Sequence, residues 1–224
     1  MGITKTIAKA FIGIYILLPL TSEASIRYVY PPQSSKADVN KINIFFNAPI
    51  TTKSSEDLRF AIDKVNKDFP KADKISLLIN SPGGDMDAGW MGYWAIKSSS
   101  LPVSTINMSR VESSATLFFC ASSQREVLAN SSFLLHPAAM SNVGYVKPDE
   151  LARTKQRLDR FNKIFFDVYS SCTNIDKNKI SKMLSSEHFS LWLNSSEAQN
   201  IGLASSIAKG IPRSDASVYV SQED

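Results

Sequence analysis

Cysteine is scarce: Cys120 and Cys172 are the only two in 224 residues. So few exclude a disulfide-knotted scaffold and a cysteine-rich zinc cluster. Histidine is as rare, with only His136 and His188, so few side chains can act as a base near neutral pH. Neither sign of charge dominates. The 25 basic and 21 acidic residues leave a net charge of +4, too mild to indicate a nucleic-acid partner. Mean hydropathy is close to neutral, which excludes a polytopic membrane protein. What is present suffices for one sizeable core: 43% of residues are hydrophobic and 10% aromatic, against wholesale disorder and too short for several large domains.

The N-terminus reads as an export signal over residues 1–24. Lys5 and Lys9 form a basic region and the stretch from Ala10 to Leu20 is apolar. Ser22 and Ala24 place small side chains before a cleavage point after Ala24. The apolar run falls short of the roughly 20 residues a spanning helix needs, so cleavage is expected over a retained anchor. The mature chain is then expected outside the cytoplasm, periplasmic or secreted, where ATP is absent. Such a compartment is oxidising. Cys120 and Cys172 either pair there or stay as two buried thiols, and the sequence leaves both open.

Residues 25–40 are rich in Pro and Ser without a clear period and read as an N-terminal arm. Residues 41–210 read as one domain and 211–224 as a C-terminal tail. Within the domain, 41–47 reads as a strand and 55–68 as an amphipathic helix with Leu58, Ile62 and Val65 on one face. The apolar run 75–80 stops at Ser81-Pro82-Gly83-Gly84, as a buried strand does at a turn. Helix 86–97, strand 103–108, an apolar helix 112–122 and short strands 126–129 and 133–136 follow. A long polar helix over 148–171 carries Asp149 and Glu150 in its first turn. Helices 176–185 and 195–201 and a strand 203–208 complete the pattern. Strands alternating with helices predict an α/β fold.

Four features in this order suit acyl transfer. A glycine turn lets backbone N–H groups converge on an anion. A helix start adds unpaired N–H groups and a positive dipole end. A serine placed there has its hydroxyl beside an oxyanion site, and a histidine can take its proton. Taken singly, each has a plainer reading as turn, cap or structural histidine.

Together these residues resemble a known family. Ile79-Asn80-Ser81-Pro82-Gly83-Gly84 resembles the hallmark turn of the Clp protease proteolytic subunit, and Leu134-Leu135-His136-Pro137 its histidine segment. Val103-Ser104-Thr105-Ile106 is similar to the strand that leads to the nucleophile. Glu197-Ala198 with Ile201-Gly202-Leu203 resembles the C-terminal signature. The resemblance implies a ClpP/crotonase-like fold of repeated β-β-α units with a long projecting helix. It implies a serine peptidase acting on peptides or unfolded proteins, with no cofactor or metal, and a homo-oligomer. A gapless register from Gly84 places the nucleophile on Ser113 rather than the adjacent Ser114. Ser113-Ser114-Ala115-Thr116-Leu117 with Ala121 and Arg125 also resembles a phage-type pattern. By the same register His136 is the general base, the N–H groups of Gly84 and Ser114 are the oxyanion donors, and an extended substrate pairs beside Gly83. Without ATP, an AAA+ unfoldase partner is not expected.

Two positions depart from the family pattern. The triad aspartate would fall near Ser190, and no aspartate is there. Glu187 lies close enough to replace it after a small loop shift. Glu112 stands where the family prefers a small residue, and its carboxylate either orients His136 or points to solvent. Loss of the orienting acid costs on the order of 10⁴ in rate in the best-studied triad. A catalytically impaired binding or assembly protein is therefore the second expectation. Two other chemistries are less favoured. A Ser–Lys dyad, as in signal peptide peptidase A, would need Lys97 or Lys155. Acyl-coenzyme A chemistry lacks a nucleotide-binding signature.

Overall fold

The computed structural model describes residues 24–141 and 144–222. The predicted export signal lies outside them except for Ala24. Strand β1 spans Ala24–Val29, β2 Lys41–Asn47, and helix α1 Thr52–Asp68. Then come β3 (Lys74–Ser81), α2 (Met86–Lys97), β4 (Val103–Glu112), α3 (Ala115–Cys120), β5 (Gln124–Leu128) and β6 (Ser132–Leu135). The long helix α4 covers Pro148–Cys172, followed by α5 (Lys177–Met183), β7 (Leu191–Asn194), α6 (Ser195–Asn200), β8 (Ser206–Ala208) and β9 (Ala216–Gln222).

One mixed sheet runs β1-β9-β2-β3-β4-β5-β8, with β6 and β7 branching from β4. Strands β2 to β5 are parallel. Burial on both faces explains the unbroken apolar run of β3, where Ile75, Leu77, Leu78 and Ile79 are all fully buried.

One edge of β4 pairs with β3, and the other edge is shared by two partners. Its first half pairs with β5 through Asn107–Val127, and its second half pairs with β6 from Arg110–Ser132 to Glu112–Leu134. At the fork the fully buried Asn107 donates its side-chain amide to the Ser132 carbonyl at 2.8 Å. That bond satisfies a backbone acceptor where one ladder gives way to the other. Pairing with β6 also carries β4 to Glu112, four residues beyond the predicted strand end. Helix α3 accordingly starts at Ala115, not at 112.

Two segments differ from their sequence reading. The expected arm carries β1, and the expected tail carries β9, which lies between β1 and β2. The reason is a period of two in the tail: Ala216, Val218 and Val220 are buried, while Tyr219 faces out and stacks on Phe45 at 4.8 Å. Asp215 pins this strand. Its Oδ2 accepts the N–H groups of Asn40 and Lys41 at 3.0 and 2.9 Å. Those two bonds hold its carboxyl below the usual aspartate range.

The first half of α4 is largely exposed, whereas Phe161, Phe165, Val168 and Tyr169 pack into the core of the same chain. Cys120 and Cys172 form a disulfide between α3 and α4, with Cα atoms 5.6 Å apart. Arg125 ties the same region together, donating to the carbonyls of Ser122, Cys172, Gly202 and Leu203.

Candidate active site

The β3–α2 turn is held by the chain beside it. Ile50 N–H donates to the Gly83 carbonyl at 2.8 Å, and Asp85 N–H donates to the Ile50 carbonyl at 2.9 Å. The Gly84 N–H, between them, enters no backbone bond in this bridge. Gly83 (φ 81) must be glycine for a second reason. A Cβ there would stand 2.5 Å from the Glu112 carbonyl oxygen and 2.6 Å from Ser113 Cβ. The glycine turn and the serine turn therefore touch. Asp85 caps α2 by accepting the Ala88 N–H at 2.7 Å.

Ser113 sits in the junction between β4 and α3 in the left-handed region, at φ 55, a conformation costly for a residue with a Cβ. Three contacts hold it there. Its N–H donates to Leu134 O at 2.9 Å, and its carbonyl accepts both the N–H of Thr116 at 2.9 Å and the Thr116 hydroxyl at 2.6 Å. With that proton committed, Tyr169 OH is the donor in its 2.8 Å bond to Thr116 Oγ1. Tyr169 is fully buried, and burial pushes its phenol well up, so it stays a neutral donor.

The two serines differ in exposure and bonding. Ser114 is fully buried and its hydroxyl donates to the Gly84 carbonyl at 3.1 Å. Ser113 is half-buried, and its hydroxyl takes no hydrogen bond among the described residues. The Ser114 N–H also makes no backbone hydrogen bond there.

His136 follows β6 directly, so the Ser113–Leu134 bond brings the two side chains to the same strand end. No hydrogen bond joins Ser113 to His136 among the described residues. Nδ1 of the ring stands 3.3 Å from Glu187 Oε1. The imidazole is 15% exposed and the carboxylate 62%. Glu187 opens a short 3-10 turn, Glu187–Phe189, that leads into β7, and β7 pairs antiparallel with β6. Glu112, by contrast, makes no side-chain hydrogen bond or ion pair among the described residues. Lys155 is committed to Asp159 on the exposed face of α4 at 2.7 Å. Lys97 is exposed at the end of α2. Neither lysine is set up as a base. On the exposed side of α4, Arg157 and Arg160 bind the two oxygens of Asp87, at 2.8 and 2.7 Å.

The sequence profile of the Clp protease family matches residues 33–210. The chain belongs to the Clp protease family. Among the relatives of this family member, the ATP-dependent Clp protease proteolytic subunit 2 of Treponema denticola is 32% identical over 139 residues, 60% of this chain and 66% of that protein. Proteolytic subunit 1 of Chlamydia pneumoniae is 30% identical over 177 residues, 73% of this chain and 85% of that protein. A ClpP1 point mutant from Listeria monocytogenes superposes with a TM-score of 0.66 at 20% identity, covering 75% of this chain and 91% of the other. The ClpP-like α/β fold expected from the motifs is thus the fold of this Clp family chain.

Sequence reasoning did not find Thr116 and Tyr169. They lie 53 residues apart; Thr116 fills an unspecified position of the serine motif and Tyr169 lies in no motif, so only the packing of α3 on α4 reveals them.

Proposed function

We propose that this chain is an exported serine peptidase that hydrolyses short or unfolded peptides without ATP. The observation that carries the reading is the Glu187–His136 pair at 3.3 Å beside the strained turn of Ser113. Ser113 Oγ attacks the peptide carbonyl carbon while His136 takes the hydroxyl proton. The oxyanion is held by the N–H groups of Gly84 and Ser114. Collapse breaks the C–N bond, and His136 returns the proton to the leaving amine. Water, deprotonated by His136, then cleaves the acyl-enzyme ester and releases Ser113. Glu187 orients the ring and stabilises the imidazolium. Its exposure makes it a weaker support than a buried aspartate. An extended substrate adds beside Gly83.

Labelling by a fluorophosphonate probe tests the nucleophile. Ser113→Ala is expected to abolish labelling while Ser114→Ala leaves some, and equal labelling of wild type and Ser113→Ala would refute the assignment. N-terminal sequencing of protein from fractionated cells tests export: a mature chain starting at Ser25 in the periplasmic or extracellular fraction supports it. Self-assembly, which Clp family membership favours, is read by analytical ultracentrifugation.

The unmade Ser113–His136 hydrogen bond motivates a second reading, a binding or assembly protein on the same scaffold. It requires that peptide esters and unfolded casein survive at every pH from about 5 to 9. Catalytic hydrogen bonds often tighten only when substrate binds, so the first reading stands ahead.

A further inference from the structure

The register of the β6–β7 pair places position 190 beside the catalytic histidine. The strands pair as Leu134–Trp192 and Leu135–Leu191, and one further step along the same register sets Ser190 opposite His136. A serine there is too short and lacks the charge to support the ring. Glu187, one 3-10 turn earlier, reaches Nδ1 instead with Oε1. Its second oxygen, Oε2, accepts the Ser190 hydroxyl at 3.2 Å. Among the described residues Oε2 has no other hydrogen-bond partner. An exposed glutamate has several rotatable bonds to order, and a hydrogen bond to the far oxygen selects the rotamer that turns the near oxygen toward histidine.

We infer that Ser190 is a positioning residue for the acyl-transfer reaction proposed above, its hydroxyl fixing the Glu187 carboxylate against Nδ1 of His136. The inference rests on that peptidase reading. Ser190 acts only through Glu187.

The test compares Ser190→Ala, Ser190→Thr, Glu187→Ala and the double variant Glu187→Ala/Ser190→Ala. The expected result is that Ser190→Ala lowers kcat/KM for a peptide ester about fivefold through kcat, KM being unchanged. Ser190→Thr, which keeps the hydroxyl, returns it to within about twofold of wild type. In the Glu187→Ala background Ser190→Ala adds no loss, since residues acting through one another are not additive. The imidazole nitrogen resonances of His136, separable from those of His188, are expected to move in Ser190→Ala and Glu187→Ala but not in Ser190→Thr. A full additional loss in the Glu187→Ala background overturns the inference. So do an unchanged rate and unchanged His136 resonances in Ser190→Ala. If the wild-type chain neither hydrolyses ester nor takes the probe on Ser113, the peptidase reading fails by itself. The resonances then decide the role of Ser190: movement in Ser190→Ala supports the hydrogen-bonded chain to His136, and constancy overturns it.

Discussion

The backbone amide of Ser113 is hydrogen-bonded to the carbonyl of Leu134, two residues ahead of His136. This bond is part of what fixes the serine turn, whereas the side chains of Ser113 and His136 form no hydrogen bond with each other. Backbone pairing, the Thr116–Tyr169 brace and the Cys120–Cys172 link together fix where the serine hydroxyl is presented.

Ser113 holds a conformation that suits glycine. Ser113→Gly is expected to abolish probe labelling, as Ser113→Ala does, yet to be more stable than Ser113→Ala by about 1 kcal/mol, because it relieves the left-handed strain. Thermal melts of the two variants check this, with a difference of about 2–4 °C for a domain of this size.

Tyr169→Phe removes the donor to Thr116 and keeps the ring packing. The loss of one buried hydrogen bond is worth about 1 kcal/mol. The turnover number is expected to fall several-fold while the circular dichroism spectrum stays unchanged. Thr116→Val, which also removes the bond to the Ser113 carbonyl, should fall further.

The disulfide closes a loop with a sequence separation of 52. Chain-entropy arguments value such a loop at about 4 kcal/mol. Cys120→Ser, or reduction with a thiol, is expected to lower the melting temperature by about 10 °C. A melt unchanged by reductant would show that the link contributes nothing.

Asp215 gives a pH signature. Its folded pKa is lowered by the two backbone N–H bonds, so its contribution to stability is fully present above the unfolded value of about 3.9. That contribution is lost as pH falls through the lower folded value. Acid unfolding curves of wild type and Asp215→Asn should therefore differ in slope below about pH 4, the variant being flatter, and run parallel above it.

The register opposite His136 predicts a transferable acid. Glu187→Ala is expected to cost about 10- to 100-fold in kcat/KM, less than a buried triad acid because Glu187 is largely exposed. Ser190→Asp introduced into that background should recover most of the loss, and assays of the three variants on one peptide ester check it.

The legible parts of this molecule were those governed by local pattern. The alternation of strands and helices, the stop at Gly83-Gly84 and the apolar α3 follow from burial and turn chemistry within short windows. Glu187 could be named because its side chain is long and close to the vacant acid position. The β1–β9 pair was missed because its partners stand almost 200 residues apart, and each strand taken alone reads as an irregular terminus. The end of β4 was misjudged because its extension depends on β6, a pairing that no local signal encodes. The Tyr169 brace and the disulfide are likewise properties of two helices meeting.

The fork in β4 makes the segment from Asn107 to Glu112 the spacer that sets where the serine turn begins. Between Asn107 and Val111 it already holds two residues more than β3 holds between Ile79 and Ser81, so a change of length there is either absorbed at that irregularity or moves the serine turn off the glycine turn. Changes of length are expected to be better tolerated in the surrounding loops and in the exposed outer half of α4, which lie outside that spacer.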